Sequence, residues 1–167
     1  MKLEITAVSL DKIRLPENPL KEHPDGQIRQ IVASIRQFGF NDPVAIDENG
    51  EIVEGVGRVL AARELGMSEI PVITLLHLSE AQKKAYCIAH NKICHNSGFN
   101  LERLRSLIEL LCREDDPALL EATGFAQAEL DDLLAAPMEP ELGGELTGSM
   151  KDAPKVICPH CGEAVYV

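Results

Sequence analysis

The stretch Ile52-Val53-Glu54-Gly55-Val56-Gly57-Arg58-Val59-Leu60-Ala61-Ala62 limits what this chain can fold into more than any other. A short apolar segment meets two glycines one residue apart, an arginine follows, and an alanine-rich run reaches Leu65-Gly66 before Ile70-Pro71-Val72-Ile73. That order reads as strand, tight turn, helix and second strand. Such a turn aims the first N–H groups of a helix, its positive dipole end and a guanidinium at one point, an arrangement that holds phosphate. Two glycines also serve simply to bend a chain from strand into helix. A lone Gly-x-Gly-Arg does not choose between the two readings.

The flanking sequence supplies a compact frame for this unit. Residues 3–9 alternate as a strand, and Asp11 to Pro24 form a proline-containing loop. Asp25 stands where a helix cap is wanted, Ile28, Ile31, Val32, Ile35 and Phe38 fall at helical spacing, and Gly39 fits the C-cap. Pro43–Ile46 and Glu51–Val53 flank Asp47-Glu48-Asn49-Gly50, whose Asn-Gly predicts a β-hairpin. A helix over 56–65 and a strand over 71–76 complete a β-α-β-β-α-β order, an α/β (or α+β) unit with a small mixed sheet. Ser79 and Gln82 have capping-box spacing and open a helix to about Asn91. Asn100 caps another that carries Leu101, Leu104, Leu107, Ile108 and Leu111 on one face. Asp116-Pro117 starts a short helix stopped by Gly124, and 126–135 forms the last. The expected segments are therefore a core over 1–98, an acidic helical extension over 99–136, a linker over 137–154 and a cysteine-bearing tail over 155–167.

Charge and cysteine content narrow the function classes. The net charge is −11, yet residues 1–108 hold 13 Lys/Arg against 14 Asp/Glu, whereas 109–145 hold one against 11. Non-specific DNA binding across the whole chain is therefore disfavoured, since it needs several cations facing phosphates. DNA contact would fall to a local patch, Lys83, Lys84 and Lys92 or Arg29 and Arg36, though such lysines more often form a solvated face. The acidic segment reads as solvated surface or as a docking face for a basic partner. No apolar run approaches the roughly 18–20 residues of a membrane span, so no membrane partner is expected. Met1 to Ile5 do not open a signal-peptide core, and five cysteines with one CxxC suit a reducing cytoplasm.

Several motifs in order resemble the ParB/sulfiredoxin superfamily, specifically the ParB-like N-terminal module of phage and plasmid proteins that is often fused to a DNA methyltransferase. They are the loop Asn18 to His23, Ile35-Arg36-Gln37-Phe38-Gly39-Phe40-Asn41 with Pro43-Val44, the turn Gly55 to Arg63, Leu65-Gly66-Met67, His77 to Lys83, and Ala89-His90-Asn91-Lys92 leading to Asn96-Ser97-Gly98. Thr123-Gly124-Phe125 with Glu129-Leu130-Asp131 resembles the segment that precedes the methylase. No methylase motif follows, so methyl transfer by this chain alone is not expected. The superfamily includes proteins that bind and hydrolyse CTP or ATP, a free-serine kinase and a reductase of oxidised peroxiredoxin.

By that resemblance Gly55, Gly57 and Arg58 form the phosphate cradle, with Lys21 and His23 at basic and histidine positions of the upstream loop. The reductase needs a cysteine in the turn; position 56 is Val, so that activity is not expected. Relatives with His, or Glu then Arg, in the turn carry polar groups that Val56-Gly57 lacks, which leaves Glu54 as the local carboxylate for Mg²⁺ or base chemistry. Glu54 also reads as an ordinary strand-end acid in solvent. The expected ligand is a nucleotide, with Mg²⁺, or DNA phosphate.

Cys158-Pro159-His160-Cys161-Gly162 is half of a zinc ribbon, because Zn²⁺ takes four ligands. The missing pair would come from a second subunit's knuckle, making a homodimer, or from Cys87, Cys94, His90 or His95. Those four share a helix with Ala85, Ile88, Ala89 and Ile93, and core packing is the expectation for them. No nuclease-type metal cluster is evident. Three functions stay open: a DNA-associated binding module working with a DNA-processing partner, a small kinase or nucleotide hydrolase using Glu54 and Arg58, and a zinc-dimerised adaptor.

Overall fold

In the computed structural model, residues 3–135, 155–157 and 164–166 are described. They fall into two units, 1–136 and 137–167.

In the first unit β1 (Ile5–Ser9), β2 (Val44–Ile46), β3 (Ile52–Glu54) and β4 (Glu69–Thr74) form one sheet in the order β1-β4-β2-β3. β1 runs antiparallel to β4, with Ile5 opposite Ile73, and β2 runs parallel to β4, with Val44 opposite Val72. The parallel central pair requires a crossover, and α2 (Val56–Glu64) supplies it between β3 and β4. Val44, Ala45 and Ile46 are all buried, as central strands are.

α2 is covered on two sides. Its Val59 and Ala62 join Val44, Ile46, Ile52, Ile70 and Val72 against the sheet, while Ala61 packs with Ile28 and Val32 of α1 (Asp25–Phe38). The small side chains let the helix sit close to both neighbours, which explains a helix with no polar face in its middle. α1 begins one residue earlier than expected. Pro24 is its N-cap, and Asp25 lies in the first turn, where its charge complements the helix dipole.

The hairpin expected from Asn49-Gly50 forms, as a loop wider than a two-residue turn. Gly50 alone takes a positive φ there, +78°, and the Asp47 carboxylate accepts from the N–H groups of Asn49 at 2.8 Å and Glu51 at 2.7 Å. Gly50 is also pinned from outside: its carbonyl accepts from Arg14 N–H at 2.8 Å.

α3 (Glu80–Cys94) opens with the capping box of Ser79 and Gln82 and runs three residues past its expected end. It packs against the edge strand β3. Three strand residues span only ~10 Å, whereas 15 helical residues span ~22 Å. Most of α3 therefore lies beyond the sheet: Ile88 and Ile93 are 56% and 66% exposed, and Cys94 and His95 are exposed. The expected core packing of Cys87, His90, Cys94 and His95 is corrected accordingly; Cys87 and His90 are half-buried.

α4 (Leu101–Leu111), α5 (Pro117–Glu121) and α6 (Gln127–Ala135) bury Ile108, Ala122 and Leu130. They dock on α1, where Gln30 donates to the Gly124 carbonyl at 2.7 Å and Gln37 to Asp116 at 3.2 Å. The second unit holds an antiparallel pair, β5 (Lys155–Ile157) and β6 (Ala164–Tyr166). Cys158 and Cys161 fall outside the described residues, as does the linker 137–154.

A Cβ at Gly50 would lie 2.5 Å from the Lys12 carbonyl oxygen in a left-handed backbone. Gly50→Ala is expected to destabilise the protein by on the order of 2 kcal/mol, read from urea unfolding. A change under about 0.5 kcal/mol would contradict this packing.

Candidate functional site

β3 delivers Glu54 to the turn, Gly55 takes φ +104° as the N-cap of α2, and Val59 N–H closes the first helical bond on the Gly55 carbonyl at 3.1 Å. Only glycine adopts that conformation without strain. The N–H groups of Val56, Gly57 and Arg58 belong to the helix end, where no acceptor within the helix exists for them. The turn lines a cleft of about 970 Å³, whose other walls come from the loop before α1, from α1 and the segment after it, from the β2–β3 loop and from α3 as far as Asn91.

The structure places Lys21 and His23 in the lining of this cleft. Gly57 makes the approach of His23 feasible: a Cβ there would stand 3.1 Å from the His23 ring and 3.0 Å from Ile31 Cδ1. His23 Nδ1 lies 2.8 Å from Gln27 Oε1, an acceptor, so in this contact Nδ1 carries the proton. Lys21 is exposed, and its charge acts on Glu54 and on Cys87.

Arg58 is arranged differently from the sequence-based expectation. Its guanidinium is mostly buried and faces two carboxylates: Nη2 donates to Glu54 Oε2 at 2.5 Å, and Nη1 pairs with Asp42 Oδ2. Its Nε is buried without a hydrogen-bond partner. Burial works against the charge of Arg58 and pushes its pKa down. Asp42 was not singled out from the sequence. The signal lay in the hairpin register, because pairing Ala45 with Glu54 carries Asp42 alongside the turn.

Glu54 is equally enclosed, with its side chain 14% exposed. It borders both the main cleft and a smaller cavity of about 310 Å³ shared with Tyr86 and His90. Burial pushes the Glu54 carboxyl up, against the pull of His90 and Lys21. His90 Nδ1 stands 3.6 Å from Glu54 Oε1, within reach through a small rearrangement. The reading of Glu54 as a strand-end acid in solvent does not hold.

Lys83 corrects another expectation. It is the buried residue of α3, and its ammonium donates to Glu48 at 2.6 Å and Glu80 at 2.9 Å, which raises its pKa. It ties α3 to the β2–β3 loop and is unavailable as part of a DNA-facing patch, unlike the exposed Lys84 and Lys92. Among the described residues, no group of three or more His, Cys, Asp or Glu is arranged to hold a metal ion. No helix among them is long and apolar enough to cross a membrane.

The family model for the ParB N-terminal domain matches residues 1–91. Over 83 residues the chain is 43% identical to the ParB-like nuclease domain-containing protein YnaK of Escherichia coli K12, covering 50% of this chain and 95% of that protein. It is 36% identical over 70 residues to the probable chromosome-partitioning protein ParB of Rickettsia felis, covering 41% of this chain and only 24% of that protein. The crystal structure of the C-terminally truncated chromosome-partitioning protein ParB from Caulobacter crescentus, complexed with CTP-γ-S, superposes with a TM-score of 0.66 at 15% identity. That match covers 78% of this chain and 77% of the Caulobacter chain, and it is a likeness of fold.

Two outcomes follow from the packing around the turn. Gly57→Ala is expected to displace His23 and destabilise the protein by about 1–3 kcal/mol, read from thermal unfolding and the His23 imidazole NMR signals; an unmoved His23 would contradict the contact. Burial and the nearby Glu54 carboxylate hold the Cys87 thiol above its ordinary pKa, while Cys94 is exposed. Peptide-resolved alkylation at pH 8 should therefore label Cys94 several-fold faster than Cys87, and equal rates would contradict the placement of α3.

Proposed function

Because the chain belongs to the ParB N-terminal domain family, we propose that its cleft binds the phosphates of a nucleotide and that it works as a DNA-associated module beside a DNA-processing partner. The observation that carries this reading is the convergence of the left-handed Gly55 turn, the N-terminus of α2, Lys21, His23 and Arg58 on one cleft. Helix N-terminal N–H groups and cations at that point suit a dense anion. The Caulobacter partition protein, which shares this fold, was crystallised with CTP-γ-S, and that supports a nucleotide as the ligand class. With Lys83 committed to Glu48 and Glu80, DNA association falls to Arg29, Arg36, Lys84 and Lys92 or to the partner.

A second reading has its own observation. Glu54 is buried beside His90, and burial raises its carboxyl above the ordinary value, the direction in which surroundings tune a general base. In that reading Glu54 takes the proton of water or of a small-molecule hydroxyl while Arg58 steadies the transferring phosphoryl group, giving a nucleotide hydrolase or a kinase.

Calorimetric titration with CTP, ATP and ADP in Mg²⁺ tests the first reading. At least one nucleotide is expected to bind, and Arg58→Ala to weaken it about tenfold or more. No binding of any of the three would overturn it. Phosphate release abolished by Glu54→Gln, with binding retained, would establish turnover.

A further inference from the structure

Arg58 is held by two carboxylates of very different standing. Glu54 comes from the end of β3, one helical turn before Arg58, and its side chain is 14% exposed. Asp42 comes from the loop before β2, and its side chain is 72% exposed. Partners in contact with solvent contribute little and exchange readily, whereas breaking a buried pair leaves an uncompensated charge. Gly55 fixes this geometry, since a Cβ there would stand 3.0 Å from Arg58 Nη2 and 3.1 Å from Val44 Cγ2. Any anion that reaches the guanidinium from the cleft meets Nη1 with a carboxylate already on it.

We propose that Asp42 is a built-in competitor for the phosphate site: it occupies Arg58 Nη1, leaves when a phosphate group arrives, and thereby sets the affinity of the cleft. The inference rests on the phosphate-binding reading above and adds the residue that tunes it. A tethered carboxylate acts at an effective concentration in the millimolar range, so weak phosphate-bearing molecules are kept off while tight ones displace it. Glu54 remains on Nη2 throughout and keeps Arg58 aimed at the turn.

Competition has a signature that plain charge repulsion lacks. Removing a competitor tightens every phosphate ligand by one common factor, whatever its charge, and does so only while Arg58 is present. Removing a repulsive charge favours highly charged ligands most and needs no Arg58.

The full chain, Asp42→Asn, Asp42→Ala and each of these combined with Arg58→Ala are titrated with inorganic phosphate, pyrophosphate and CTP. Thermal melts check that every variant is folded. The expected result is a common gain of about three- to sixfold for all three ligands in both Asp42 variants, and no gain on the Arg58→Ala background. Binding by wild type with no gain in the Asp42 variants would overturn the competitor while leaving the phosphate-binding reading intact. A gain that grows with ligand charge, or one that persists without Arg58, would overturn it likewise. Binding only after Asp42 is replaced would uphold the competitor and remove the nucleotide reading for the native cleft. No binding by any variant would overturn both.

Discussion

The structure depends on the close packing of α2 between the sheet and α1. Gly57, Ala61 and Ala62 keep the helix thin enough to touch both layers, and Val59 fills the gap to the central strands Val44 and Val72. The helix is thereby fixed in direction. Its N-terminus can only open at the end of β3, beside the loop that carries Lys21 and His23. The cleft is a consequence of that packing, and at Gly55 and Gly57 the backbone of the turn comes closer to its neighbours than a side chain comfortably permits.

Electrostatics then decides how the cleft behaves. Burying Arg58 requires compensation, and the chain supplies it from its own acids, Glu54 and Asp42. The same logic recurs at Lys83, which is enclosed by Glu48 and Glu80 where α3 meets the β2–β3 loop. Cations that look like a nucleic-acid footprint in the sequence are therefore not equivalent. Lys83 holds two elements together, Lys84 and Lys92 stand exposed on the surface of α3, and Arg58 lines the cleft with its own acids as partners.

Local signals were readable because they are local. The capping box at Ser79, the Asn100 cap, the Gly39 and Gly66 helix ends and the Asn-Gly hairpin each depend on residues a few positions apart. The glycine-to-arginine turn was legible for the same reason. What the sequence hid is what tertiary pairing creates: Asp42 meets Arg58 across a hairpin, and Glu48 meets Lys83 across 35 residues. The exposure of Ile88 and Ile93 was hidden too, since helical periodicity marks an apolar face but not whether a short strand such as β3 is long enough to cover it.

The proposed role of the cleft requires that the N-terminus of α2 receive phosphate. Amide NMR resonances of Gly55, Val56 and Gly57, followed together with the Arg58 guanidinium during a titration with CTP and Mg²⁺, test it most directly. Saturable shifts of all four with one common dissociation constant are expected, with smaller changes along the outer face of α3. Shifts confined to α3 or to the α4–α6 extension, with Gly55 to Arg58 unmoved, would contradict it.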